Sequence, residues 1–191
     1  MLVRSAKKAA AALREADVPF ILAGGLACWV RGGPPTEHDV DLVVRPADVD
    51  HALEALAGAG MRIEHPPEEW LAKAFDGEVM IDVIFQPEGH TVDDELFARA
   101  DDMAVQAVTM PVMSLDDILT TKLLALTEHY LDYDGLLELA RPVREQIHWD
   151  EVRRRTERSP FARAFFTLAE GLGLVDGTAP EAAEPEAAGS V

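Results

Sequence analysis

Short apolar runs separated by glycine, proline and charged residues dominate the first two thirds of the chain. Runs of strand length lie at 20–23, 40–44 and 79–85, with weaker candidates at 61–64 and 105–112. The run at 79–85 is the strongest, because it is apolar throughout apart from Asp82, as in a strand buried on both faces. Together these runs predict a sheet.

Helical patterns lie between these runs and then replace them. Alanine-rich or amphipathic stretches predict helices at 5–16, 26–31 and 47–56, whereas 67–74 reads as a short helix or a loop. Ser114 begins a further helix, with Asp116 and Asp117 in its first turn, where carboxylates favour the helix dipole. Helical patterns continue at 136–141, 149–158 and 161–172.

The order of these patterns predicts an α/β (α+β) protein in which strands come first and helices later. We expect a core at 1–113, a C-terminal helical region at 114–174 and a disordered acidic tail at 175–191. The tail consists mainly of Ala, Glu, Pro and Gly, a composition that cannot bury a core.

The composition of the chain indicates where the protein is located and which partners it favours. The 191 residues include one cysteine, Cys28, and no apolar run of the roughly 20 residues that would span a bilayer. We therefore expect a cytoplasmic protein without a membrane partner. The formal net charge of −18 argues against general attraction to nucleic acid. Seven arginines nevertheless lie close together near the C-terminal end: Arg141, Arg144, Arg153, Arg154, Arg155, Arg158 and Arg163. A solvated helix face is the simpler interpretation of that cluster.

The candidate chemistry begins with Asp39 and Asp41. Residues i and i+2 of a strand project from the same face, so both carboxylates point the same way. Asp82 lies in the other strong strand, where a lone charge is costly unless it is paired or bound to metal. If the two strands are neighbours, the three carboxylates converge and favour Mg²⁺ or Mn²⁺. Asp-x-Asp alone is a weak signal, since it also occurs at exposed strand ends and in calcium sites.

A glycine pair upstream strengthens that signal. Gly24 and Gly25 follow a predicted strand and open a predicted helix, an arrangement that offers backbone N–H groups to phosphate. A tight strand-to-helix turn is the alternative interpretation of the pair. The sequence has no Gly-Lys-Ser/Thr after it, so it is not a Walker loop.

The ordered combination resembles the polymerase-beta-like nucleotidyltransferase superfamily. The match comprises Ala23-Gly24-Gly25-Leu26-Ala27, Arg31, Thr36 to Val44 with Asp39 and Asp41, and the third carboxylate Asp82. The resemblance implies a nucleotidyltransferase catalytic core with a small mixed sheet flanked by helices. It also implies that Asp39 and Asp41 bind both metal ions, and that Asp82 binds the catalytic ion and helps to activate the acceptor hydroxyl.

The segment Leu119 to Leu126, followed by His129 and Asp134, is similar to the Lys-Leu-x-Ala-Leu helix and downstream aspartate of AbiEii-type nucleotidyltransferases. That group includes toxins that modify transfer RNA. The resemblance implies a catalytic, triphosphate-binding Lys122 and a further carboxylate at Asp134 or Asp132. The implied nucleotide contacts are Gly24, Gly25, Arg31, Thr36, Lys122 and Asp134.

Two departures affect this closer match. Many relatives have serine where Gly25 stands, and the toxin-like pattern keeps its arginine nearer the first aspartate than Arg31 is here.

Three functions remain open at this point. The first is transfer of a nucleoside monophosphate from a nucleoside triphosphate such as ATP to transfer RNA, by a toxin with a cognate antitoxin. The second is the same transfer to a small molecule, as in the aminoglycoside and lincosamide nucleotidyltransferases that the chain also resembles. The third is an inactive nucleotide- or partner-binding module.

Overall fold

The computed structural model describes residues 1–36, 39–87 and 91–175. Within these ranges the strands form one seven-stranded mixed sheet in the order β3-β4-β5-β2-β1-β7-β6. The strands are β1 (Phe20–Ala23), β2 (Val40–Val44), β3 (Arg62–Glu64), β4 (Leu71–Asp76), β5 (Val79–Ile84), β6 (Asp101–Val105) and β7 (Val108–Val112). The predicted fold class is confirmed.

Strand pairing at the centre of the sheet decides where the acidic residues lie. Strand β2 pairs antiparallel with β1 and parallel with β5, and the second pairing sets Asp41 directly beside Asp82. Strand β4 then pairs antiparallel with β5 and sets Lys73 beside Asp82 on the other side. Three charged residues therefore stand in one row across β2, β5 and β4.

The helices of the described residues are α1 (Leu2–Glu15), α2 (Gly24–Val30), α3 (Val49–Gly58), α4 (Asp94–Ala98), α5 (Leu115–Leu124), α6 (Tyr133–Ala140), α7 (Trp149–Thr156) and α8 (Pro160–Gly171). Helices α1 and α3 pack together and cover one face of the sheet with buried residues such as Leu13 and Leu56. Helices α2 and α5 contact each other on the acidic face. Because one face is covered by α1 and α3, the acidic residues of the sheet lie on the other face, near α5.

The last three helices pack around α5. Phe165 and Phe166 of α8 are almost fully buried, and Trp149 meets Phe166 edge to face with ring centres 6.3 Å apart. Aromatic contacts of this kind add to the free energy gained by burying the rings. They join α7 to α8, and both helices contact α5, which carries Lys122.

A buried ion cluster fixes α5 in place. Asp117 is completely buried, and it accepts hydrogen bonds from Arg99 after α4, from Arg155 of α7 and from Ser114, which caps α5. Burial alone would raise the pKa of Asp117, but these donors outweigh it and hold the pKa below its ordinary value. The cluster joins three separate elements at the start of α5.

Three predictions need correction, and each concerns a segment that the structure places in the sheet. The stretch 67–74, expected as a short helix or loop, contributes most of β4, which pairs with β5 through a turn at Gly77. The single strand expected at 105–112 is a hairpin of β6 and β7, which turns at Gln106 and Ala107 with positive φ angles at both. Strand β5 is only half-buried on its acidic face, because that face borders the site.

The other predicted strands and helices form close to their predicted positions, with ends shifted by a few residues, whereas the short helix α4 was not predicted. Residues 176–191, which include all but one residue of the expected tail, lie outside the described residues. Among the described residues, no helix combines the length and the apolar character needed to cross a bilayer.

Candidate active site

The sheet brings the three predicted aspartates together. Asp41 and Asp82 are neighbours on β2 and β5, and Asp39 immediately precedes β2. One carboxylate oxygen from each can be chosen so that all three lie within 4.8 Å of one another. The two strands are neighbours, which was the condition for convergence.

Electrostatics make this cluster a place for a cation. Burial, followed by the nearby charges of Asp39 and Asp82, raises the pKa of Asp41 to about 7, although Lys122 and Lys73 oppose that rise. The cluster therefore holds its negative charge at a cost in free energy. A hard divalent ion with oxygen ligands relieves that cost, and a carboxylate donor set suits Mg²⁺ or Mn²⁺.

Two lysines stand on different sides of the triad. The Nζ atom of Lys73 lies 2.9 Å from Oδ1 of Asp82, and both side chains are mostly buried. Lys122 is half-buried on α5 and lowers the pKa of Asp41 through its charge. In the described part of the chain, Lys122 has no hydrogen bond or ion pair, so its ammonium group is available to a ligand.

The glycine pair lies against the triad. Gly24 has φ of +60°, and a Cβ atom added there would lie only 1.7 Å from Oδ2 of Asp41. A side chain at this position is therefore excluded by the Asp41 carboxylate itself. A Cβ atom at Gly25 would stand 3.0 Å from Oγ1 of Thr36. The Thr36 hydroxyl thus lies beside the glycine turn.

Two cavities meet at Lys122. One, of about 370 Å³, is lined by Gly25, Thr36 and Lys122 and extends to Tyr130 and Asp132. The other, of about 340 Å³, begins at Gly24 and Asp41 and is otherwise largely apolar, with Val43, Trp70, Ile84, Leu96, Met113 and Ile118 in its wall. Both are large enough for a small ligand or for part of one.

The remaining predicted site residues lie in less direct positions. The Arg31 guanidinium donates to the carbonyl oxygens of Val112 and Met113 and pairs with Asp101, so it joins α2 to β7 and β6. Asp134 is exposed in the first turn of α6, whereas Asp132 caps that helix and lines the first cavity. Cys28 is buried, and burial raises the pKa of its thiol to about 11, which suits a packing role.

Sequence reasoning missed two residues of this region. Lys73 and Trp70 both lie in or beside β4, the strand that the hydrophobic pattern did not reveal. The available signal was Gly77-Glu78, a two-residue loop that begins with glycine directly before the strong strand β5. A hairpin at that point pairs 71–76 with 79–84 and sets Lys73 opposite Asp82.

A mixed sheet that gathers acidic strand residues beside a glycine turn is the core of the polymerase-beta-like nucleotidyltransferases, and the comparisons agree with that class. The chain belongs to a family described as uncharacterised nucleotidyltransferase, whose model matches residues 1–171. It is therefore a nucleotidyltransferase enzyme, a class that uses a nucleoside triphosphate and, in general, a divalent metal ion. The comparison with curated proteins finds no match.

Solved structures with the same fold include an antibiotic-resistance factor. The solution structure of ANT(2″)-Ia has a TM-score of 0.60 at 15% identity and covers 90% of this chain and 96% of its own. A crystal structure of ANT(2″)-Ia with adenylyl-2″-tobramycin has a TM-score of 0.54 at 17% identity and covers 87% and 97%. The protein TM1012 of Thermotoga maritima has a TM-score of 0.52 at 15% identity and covers 64% and 86%. At these identities the likeness establishes the fold, and the similarity to AbiEii-type enzymes stays an expectation from sequence.

Proposed function

We propose that the protein transfers a nucleoside monophosphate from a nucleoside triphosphate to a hydroxyl group of a small molecule. The observation that carries this proposal is the convergence of Asp39, Asp41 and Asp82 within 4.8 Å beside the glycine turn. The three carboxylates are the proposed ligands of Mg²⁺ or Mn²⁺. When bound, such ions neutralise charge on the triphosphate and favour ionisation of the attacking hydroxyl.

The proposed reaction needs one bond to form and one to break. The acceptor oxygen forms a bond to the α-phosphorus while the bond from that phosphorus to the bridging oxygen breaks and pyrophosphate leaves. Asp82 is the proposed recipient of the hydroxyl proton, because it is the carboxylate on the strand farther from the glycine turn. Lys122 is the proposed contact for the charge that accumulates on the triphosphate, since its ammonium group has no partner in the described residues.

The first cavity is the proposed nucleotide side. It contains Gly25, the Thr36 hydroxyl and Lys122, which are groups that bind phosphate oxygens. Asp132 and Tyr130 at its far end offer polar groups to a sugar or base, and Asp132 replaces Asp134 in this proposal because Asp132 lines the cavity. Arg31 is left out, because its guanidinium is held by Val112, Met113 and Asp101.

The second cavity is the proposed acceptor side. Its wall is mainly apolar, and Asp41 and Lys122 are the charged groups among its described lining residues. A polycationic acceptor would need several carboxylates there, whereas an acceptor with an apolar body and a free hydroxyl would bury its surface against Trp70 and Ile84. ANT(2″)-Ia has been solved with an adenylylated aminoglycoside. The small number of carboxylates in the second cavity favours a less cationic acceptor for this chain.

Transfer RNA is the second acceptor to test, because five of the clustered arginines are exposed. Most of the cluster is nevertheless neutralised within the protein. Arg153 pairs with Glu170, Arg154 with Glu151, Arg155 with Asp117 and Arg144 with Glu145. Guanidinium groups that are already paired with carboxylates displace fewer counterions from RNA phosphates. This surface therefore supports a toxin function poorly.

A transfer assay tests the proposal. The protein is incubated with each of four nucleoside triphosphates labelled at the α-phosphate, with Mg²⁺ or Mn²⁺, and with lincosamides, aminoglycosides or total transfer RNA. We expect label in a small molecule, and we expect Asp82→Asn to abolish it. Asp102→Asn, which changes an exposed strand aspartate, is the matched control and should leave transfer unchanged.

Label in RNA would replace the small-molecule acceptor with the toxin-like one. An absence of transfer to any acceptor, together with an absence of nucleotide binding by calorimetry, would favour an inactive module and contradict the proposal.

A further inference from the structure

Lys73 forms an ion pair with the third carboxylate, Asp82. It lies on β4 directly opposite Asp82 of β5, and its Nζ atom is 2.9 Å from Oδ1 of that residue. The lysine side chain is 25% exposed and the aspartate side chain 13%, so water screens the pair only in part. The same ammonium group lies 3.3 Å from the sulfur of Met80. A cation of the protein itself is thus seated at one corner of the triad.

At that position, the ammonium group of Lys73 would compete with a divalent ion for the carboxylate of Asp82. Three carboxylates within 4.8 Å repel one another, and a nearby ammonium group relieves part of that repulsion. A metal ion at the triad would share Asp82 with the ammonium, and two cations that share one carboxylate repel each other. Binding of the metal therefore requires that Lys73 either moves away from Asp82 or remains at a cost in free energy.

The structure gives Lys73 freedom to move. Its side chain is long and partly exposed, and its two hydrogen bonds in the described residues go to the carboxylate of Asp82 and the sulfur of Met80. Its backbone stays fixed by the β4–β5 pairing, which runs from Leu71 to Asp76. The ammonium group can therefore leave the triad without a change in the sheet.

We propose that Lys73 is a built-in counter-cation that holds Asp82 before metal binding and competes with the metal for it. The inference rests on the proposed function, since it assumes that the triad is a metal site. Its consequence is that metal binds weakly to the free protein and more tightly with the triphosphate, which adds its own oxygen ligands and negative charge. Lys73 is in this account a positioning residue that couples metal binding to the presence of the nucleotide.

Titration with Mn²⁺, followed by electron paramagnetic resonance, tests the competition without any measurement of turnover. Lys73→Met removes the ammonium group but keeps an unbranched side chain. In the absence of nucleotide, we expect this variant to bind Mn²⁺ about tenfold more tightly than the unaltered protein. Lys73→Arg retains the charge and should bind Mn²⁺ about as weakly as the unaltered protein.

Lys8→Met is the matched control. Lys8 also pairs with an aspartate of β4, since its Nζ atom lies 2.5 Å from Asp76, but that aspartate is outside the triad. Its loss should leave Mn²⁺ affinity unchanged. The metal-free thermal unfolding temperature provides a second readout, which Lys73→Met should lower and saturating Mn²⁺ should restore.

The outcomes separate this inference from the proposed function. Unchanged or weaker Mn²⁺ binding by a folded Lys73→Met variant would overturn the role of Lys73 while leaving the metal site intact. An absence of Mn²⁺ binding by the unaltered protein, with and without ATP, would contradict the proposed function itself. Tighter binding in both Lys73→Met and Lys8→Met would reduce the effect to general charge and would also overturn the inference.

Discussion

Gly24 and Asp41 are in direct contact, and this contact couples the glycine turn to the acidic triad. The space beside Gly24 is taken by Oδ2 of Asp41, which would lie 1.7 Å from an added Cβ atom. The backbone at Gly24 also has a positive φ angle, which costs any other residue about 1 kcal/mol or more. The position therefore requires glycine for two separate reasons, and one of them concerns the site.

Comparison of two glycine variants separates these reasons. Gly24→Ala should lower stability and also displace Asp41, so we expect Mn²⁺ affinity and nucleotidyl transfer to fall by at least tenfold. Gly77→Ala is the control, because Gly77 has a similar φ of +64° but nothing within 4 Å of an added Cβ atom. It should lose stability and keep its affinity for Mn²⁺. Equal losses of affinity in the two variants would show that backbone strain alone is responsible.

The pKa of Asp41 predicts how metal binding depends on pH. Burial and the neighbouring carboxylates raise that pKa from 3.8 to about 7, and a metal ion needs the ionised form. Mn²⁺ affinity at pH 6 should therefore be about tenfold lower than its plateau above pH 8. Titration calorimetry at both pH values measures this difference, and equal affinities would contradict the raised pKa.

The same group should make the metal-free protein less stable as the pH rises. A carboxyl whose pKa is raised in the folded state binds more protons there than in the unfolded chain between about pH 4 and pH 7. Its contribution to the free energy of unfolding is therefore present below pH 4 and is lost as the pH rises through 7. Urea unfolding in the presence of a chelator should show this loss. Asp41→Asn should remove it, and an identical pH dependence in that variant would refute this assignment.

At the scale of elements, the strands that carry the triad could be predicted from sequence, whereas their neighbours could not. Strands β2 and β5 are marked by continuous apolar residues around Asp41 and Asp82, so the pattern and the acidic residues agree. Strand β4 alternates weakly and contains two alanines and Lys73, so its conformation depends on pairing with β5.

The hairpin of β6 and β7 was missed for a different reason. Its two turn residues, Gln106 and Ala107, both have positive φ angles, yet neither is of a type that usually marks such a turn. The position of Arg31 against β7 and β6 depends on that hairpin, so its structural contacts were also beyond reach from sequence. The conformational preferences of individual residues do not reveal contacts that form only in the assembled sheet.

Helix α5 depends on its buried ion cluster. Asp117→Asn keeps the shape of the side chain but leaves Arg99 and Arg155 without their carboxylate partner in this cluster. Loss of one member of a buried ion pair typically costs about 3–5 kcal/mol, and we expect a decrease of that order in the free energy of unfolding. Glu151→Gln, which removes the partner of the exposed Arg154, is the control and should cost less than about 1 kcal/mol. Urea unfolding compares the two variants, and similar small losses would show that the cluster does not hold α5.

At the scale of the whole molecule, charge bears on the choice of acceptor. The net charge is −18, and four of the seven clustered arginines are paired with carboxylates. We therefore expect no binding of total transfer RNA at physiological salt in a filter-binding assay. Binding with a micromolar dissociation constant and a steep dependence on salt would contradict the small-molecule proposal and make the arginine cluster an RNA contact.

The most direct test of the central claim is the fate of each phosphate of the nucleotide. Parallel reactions contain the acceptor mixture, Mg²⁺ and a nucleoside triphosphate labelled either at the α- or at the γ-phosphate. The account predicts that α-label enters the acceptor, that γ-label appears only in pyrophosphate, and that Asp82→Asn produces neither. Entry of γ-label into the acceptor, or undiminished transfer by Asp82→Asn, would contradict nucleotidyl transfer at the aspartate triad.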